Sequence, residues 1–170
     1  MQPSEALSTS AQVAVTLAGF AGVVVAFRTR SVHEWTNIDK FRLQILLSNS
    51  ALPFLLSIFA MVLLATPLDE RTLWRLCSII GFVLTATAGQ LLSQIYRAFS
   101  RAELKASGSR PWIFYSSGLL GIIATVLQIY NVIRLQTFWP FFAMIATWLC
   151  LGMVQFVLLV TARHDQNHGS

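Results

Sequence analysis

The sequence predicts an all-α fold: a polytopic transmembrane helical bundle of five spans, folded as a single membrane domain over residues 1–170. Three observations carry this prediction. Hydrophobic residues make up 55% of the chain and charged residues only 11%, with a mean hydropathy of +0.64, well short of the roughly 25% charged residues of soluble domains. The apolar residues fall into five separate runs, and about 20 helical residues at about 1.5 Å each cross about 30 Å of hydrocarbon. Finally, the cations alternate from one side to the other as the runs succeed each other.

The predicted spans are Ser8 to Phe27, Leu43 to Thr66, Leu73 to Tyr96, Trp112 to Ile133 and Phe138 to Val160. Each is expected to be helical, because an unpaired backbone group costs several kcal/mol in lipid and these runs lack the apolar/polar alternation of a barrel strand. Lys and Arg in short loops are retained in the cytoplasm. Nine of the twelve fall on one side: Arg28, Arg30, Lys40 and Arg42, then Arg97, Arg101, Lys105 and Arg110, then Arg163. Arg71, Arg75 and Arg134 fall on the other. This division predicts the N-terminus outside and the C-terminus in the cytoplasm, in a bacterial inner membrane. Trp35, Trp74, Trp112 and Trp139 lie at or near span ends, where an indole keeps its N–H wet.

The first span is rich in Ala and Gly. A signal peptide is the alternative for such a stretch, but no Lys or Arg precedes it and the residues that follow are bulky and Arg-rich; a retained helix is the expectation. In the first inner loop Ser31 and Glu34 have capping-box spacing, and Val32, Trp35, Ile38 and Phe41 recur every third residue. Both a short helix at the membrane surface and a solvated turn fit that pattern. The outer turns are tight. Pro67 ends the second span and Asp69 caps the third; Pro140 sits in the first turn of the fifth, where its missing N–H costs little, and Pro53 is placed to kink the second. The third helix is expected to run on through Arg97, Arg101 and Lys105 until Gly108.

Small residues every fourth position suit close helix packing in lipid. Ala14, Ala18, Gly22 and Ala26 form such a stripe on the first span, Gly81 and Gly89 on the third, and Gly121 on the fourth. The second span, dense in Leu and Phe, is expected to face lipid. No Asp, Glu, Lys or His lies at the centre of any span, which argues against proton-coupled transport. Amides and hydroxyls are present instead: Gln44, Ser48, Asn49, Gln90, Ser93, Gln94 and Gln155 all fall in the predicted cytoplasmic third. They read either as a polar vestibule or as hydrogen-bonding glue between helices. Gln128 and Asn131 are a smaller counterpart at the other end, where glue is the better reading. Arg28, Arg30, Lys40, Arg42, Arg97, Arg101 and Lys105 are expected to contact anionic lipid headgroups or another anion.

Catalytic and cofactor motifs are missing: there is no CxxC, HExxH, Gly-rich phosphate loop or GxSxG. Cys77 and Cys150 differ in predicted depth by about 12 Å, too far for a disulfide whose Cα atoms must approach within about 7 Å. His164 and His168 have helical metal-pair spacing but sit in a polar tail. A pI near 9.9 reflects juxtamembrane cations and not a nucleic-acid module. The expectation is therefore a protein without cofactor or metal, and not an enzyme. It is read first as an oligomeric channel or permeation pathway with an amide-lined cytoplasmic vestibule. The alternatives are an accessory or scaffold subunit that binds a cytoplasmic partner or anionic lipid through its basic loops, and, third, a membrane enzyme acting on lipid or quinone through His33 and Glu34.

Overall fold

Pro3 opens the first helix, at a position where a missing backbone N–H is no loss because the first turn has no partner for it. The computed structural model describes residues 2–26, 36–100 and 111–161, without the side chains of Pro111, Ile113, Leu159 and Thr161. Among the described residues the chain is all helical: α1 (Pro3–Ala26), α2 (Asn37–Leu64), α3 (Glu70–Ala98), α4 (Pro111–Tyr130) and α5 (Phe138–Thr161). All five contain segments long and apolar enough to cross a membrane; the first and second helices begin five and six residues before the expected Ser8 and Leu43, and the other ends lie within three residues of those expected.

Successive helices run in opposite directions. Phe41 near the start of α2 meets Tyr96 and Phe99 at the end of α3 and Phe114 at the start of α4, so these three termini share one end. Phe20 of α1 packs on Phe156 of α5 at 5.9 Å near the same end. At the opposite end Trp74 of α3 packs against Phe138 and Phe141 of α5. Lys40, Arg42 and Arg97 thus gather at the first end with Asp39, whereas Arg71, Arg75 and Arg134 share the second with Glu5, Asp69 and Glu70.

The Leu- and Phe-rich α2 is not the lipid-facing helix. Its apolar window is the most buried of the five, and it packs against α1, α3 and α5. The reason lies in the spacing: Ile38, Phe41, Ile45, Asn49, Pro53, Leu56 and Ala60 are buried at intervals of three and four, the seam of a helix that faces partners along its whole length. α1 follows the same rule through Leu7, Ser10, Ala14, Leu17 and Ala21. A stripe at every fourth residue instead drifts by about 40° per step around a helix of 3.6 residues per turn. Ala14 is accordingly buried and Ala18 half-buried, while Gly22 and Ala26 are exposed.

The main core lies toward the second end, where Leu7, Leu56, Ala60, Trp74, Cys77, Phe141, Met144, Ile145 and Trp148 form one cluster. Gly81 belongs to it, since a Cβ there would stand 2.5 Å from Met144 Cε. No such contact exists at Gly22, Gly89 or Gly121, whose added Cβ would meet nothing within 4 Å. Toward the first end the packing thins: α3 has no buried residue after Thr85, and α4 has none with a described side chain before Ala124.

The α3 helix stops earlier than its sequence suggests. Phe99 leaves the helix with extended backbone (φ −76°, ψ 137°) and turns its ring to within 5.4 Å of Phe41; burying that aromatic surface outweighs further helical turns. The predicted continuation through Arg101 and Lys105, the Ser31/Glu34 capping box, Arg28, Arg30, Trp35, His33 and the C-terminal histidines lie outside the described residues. The observed cap of α2 is Thr36, which accepts a hydrogen bond from the Asp39 N–H at 3.2 Å. Asp69 caps α3 as its sequence position implies, accepting from the Thr72 N–H at 3.0 Å.

Candidate functional site

Two polar constructions stand out on this scaffold, one at each end. At the second end the α4 helix widens into a single π-turn over Asn131–Leu135, closed by the Gln136 N–H donating to the Asn131 carbonyl at 2.8 Å. Gln136 then takes the left-handed conformation (φ 51°, ψ 44°), which reverses the chain into α5. Asn131 organises this reversal. Its amide donates to Ser78 Oγ of α3 (2.6 Å) and to the Thr137 carbonyl (3.0 Å), and its carbonyl oxygen accepts from the Thr137 N–H (3.1 Å). Gln128, one turn earlier, donates to the Pro140 carbonyl at 2.8 Å. That carbonyl belongs to the first turn of α5. Both side chains are fully buried and, although the Gln128 carbonyl oxygen has no partner, their amide groups form a hydrogen-bonded clamp joining α3, α4 and α5, the glue expected of these residues.

At the first end an open-sided cleft of about 320 Å³ lies between the start of α2 and the end of α3. Asn37, Lys40, Phe41 and Gln44 of α2 line one wall, and Ile95, Ala98 and Phe99 of α3 the other. Asn37, Lys40 and Gln44 fall on one face of α2 through their spacing of three and four. Phe41 supports the cleft from below through its contacts with Tyr96, Phe99 and Phe114, and Tyr96 stacks on Phe114 with centroids 3.6 Å apart. The positive end of the α2 macrodipole adds to the Lys40 charge here. Asp39 works against it, but its carboxylate stands 3.9 Å from Arg42.

The residues expected to form one vestibule are distributed differently within the single chain. Gln44 lines the cleft and Ser48 is half-buried one turn further on. Asn49 is buried on the opposite side of α2, where its Cβ would lie 3.3 Å from a Cβ added to Gly152 of α5. Gln155 is buried on α5. Gln90 and Gln94 are exposed on the outside of α3, and the hydroxyl of Ser93 donates to the Gln90 carbonyl of its own helix. Of the expected anion contacts within the described residues, only Lys40 lines the cleft; Arg42 and Arg97 are outside its lining. Sequence reasoning missed Asn37, whose spacing from Lys40 and Gln44 was a usable signal, and the Ile95, Ala98 and Phe99 wall, for which no local signal exists.

Among the described residues no three His, Cys, Asp or Glu side chains come together in a metal-binding group. Both cysteines are free, Cys77 buried and Cys150 exposed. The five apolar helices define a class, a helical protein compatible with integral insertion in a bilayer. Comparison with known protein families, curated proteins and solved structures finds no match for the chain.

Proposed function

We propose that the chain is a non-enzymatic membrane protein of the permeation class, whose polar pathway forms between copies around α3. One observation carries this reading: Thr87, Gln90, Gln94 and Arg97 are all exposed on α3 and, at intervals of three, four and three, share one face. Gln90 lies about 12 Å along the helix from its end at Ala98. At that depth lipid offers an amide no hydrogen-bond partner, and a second copy or a file of water does. Gly89 beside it has open space around it, so another helix can approach closely. In the sequence, nine of the twelve Lys and Arg fall in or beside the connections from α1 to α2 and from α3 to α4 and after α5, which supports a cytoplasmic position for those connections in a bacterial inner membrane.

Purified protein in liposomes tests the proposal. Ion flux is expected with the native chain and is expected to disappear in Gln90→Leu and Gln94→Leu variants that keep native helicity. Liposomes that stay sealed with the native protein at high occupancy would remove the permeation reading.

A further inference from the structure

Beyond permeation, we infer that the cleft between α2 and α3 is a binding site for an anionic phospholipid, which holds the headgroup phosphate at Lys40 and the first acyl carbons against Ile95, Ala98 and Phe99. The cleft is amphiphilic in the required sense. Its α2 wall carries an ammonium and two amides, Asn37 and Gln44, all able to donate to phosphate oxygens, and its α3 wall is apolar. From Asn37 to Gln44 the polar wall descends about 10 Å along α2, more than the roughly 5–8 Å of headgroup layer on each side of the hydrocarbon, so it can reach from the headgroups to the top of the acyl chains when α2 crosses a bilayer. The long stem of Lys40 packs along apolar surface while its charge stays at the headgroup. Arg42 and Arg97 lie on the same two helix ends, outside the cleft wall, and add longer-range attraction for an anion, with Asp39 as the one acidic neighbour on these two helix ends. Polar donors on one wall and aromatic or aliphatic carbon on the other match a glycerophospholipid better than a free inorganic anion, for which Phe99 and Ile95 offer nothing.

The test is retention of phosphatidylglycerol, against phosphatidylcholine, by full-length protein extracted from nanodiscs of the mixed lipids and weighed by native mass spectrometry. The native chain is expected to retain phosphatidylglycerol selectively. Lys40→Gln is expected to lower that retention about fivefold, the equivalent of about 1 kcal/mol for one cation at the membrane surface. Ala98→Trp, which fills the cleft without changing any charge, and Gln44→Leu, which removes a donor at constant size, are expected to lower it as well, while Arg75→Gln at the far end leaves it unchanged. Full retention in Ala98→Trp and Gln44→Leu, with loss only in Lys40→Gln, would mean diffuse charge attraction and overturn the site. Displacement of the lipid by millimolar inorganic phosphate would likewise overturn it in favour of a free anion. Because the readout is bound lipid, a sealed liposome in the flux assay leaves this inference standing.

Discussion

Asn131 ties α3 to the reversal between α4 and α5 through its side chain. Three hydrogen bonds converge on it from α3 and from the reversal into α5. An interhelical hydrogen bond in a membrane averages only about 0.6 kcal/mol, but removing Asn131 also strands the Ser78 hydroxyl and the Thr137 backbone, so Asn131→Ala is expected to cost about 1–3 kcal/mol. Denaturant titration in detergent micelles measures it. Ser57 makes the opposite case: its hydroxyl is buried without a hydrogen-bond partner, and Ser57→Ala is expected to change stability by less than about 0.5 kcal/mol or to raise it. At Asp69 the Thr72 N–H holds the carboxyl below its usual pKa. The folded pKa is therefore lower than the unfolded one, and the cap's contribution is complete above the unfolded value and is lost as pH falls through the folded one. The protection of the Thr72 amide against hydrogen exchange, taken relative to its intrinsic rate at each pH, is expected to fall on acidification in the native protein, and to be low already at neutral pH in Asp69→Ala.

The helices divide into those that pack through a continuous seam and those that pack over half their length. Gly81 and Gly89 on α3 expose the difference. Gly81→Leu drives a side chain into Met144, whose sulfur accepts a hydrogen bond from Thr85 at 3.3 Å, and is expected to cost about 1–3 kcal/mol. Gly89→Leu and Gly22→Leu meet open space and are expected to leave the unfolding of the monomer within about 0.5 kcal/mol of native. All five helices were legible from sequence because span length and hydropathy are local properties, and the Asp69 cap and the first-turn Pro140 were legible for the same reason. The central position of α2 was not, since Leu and Phe serve lipid and core equally; its Asn49, Ser50, Ser57 and Ala60 on the buried side were the signal. Nor was the end of α3 legible, because Phe99 leaves the helix for a tertiary aromatic contact that no local propensity encodes.

Across the whole molecule, packing and charge are both asymmetric. The second end is clamped by Trp74, Gln128 and Asn131; the first carries the cleft and is held there by Phe41 and its aromatic neighbours. Phe41→Ala is expected to cost about 3–5 kcal/mol and to raise exchange at the α2 start and α3 end while the Asn131 end stays protected. Of the seven residues that line the cleft, the sequence singled out two, Lys40 as an anion contact and Gln44 as part of a vestibule, and did not join them; the other wall comes from residues more than fifty positions away. In the proposed topology these helices cross a bilayer with the start of α2 and the end of α3 in the cytoplasm. The most direct measurement starts from a chain with Cys77→Ala and Cys150→Ala and adds Leu68→Cys or Ser100→Cys, probed with a membrane-impermeant maleimide in intact cells and after lysis. Labelling of position 68 in intact cells, with position 100 labelled only after lysis, is the predicted result. Labelling of position 100 in intact cells would contradict it.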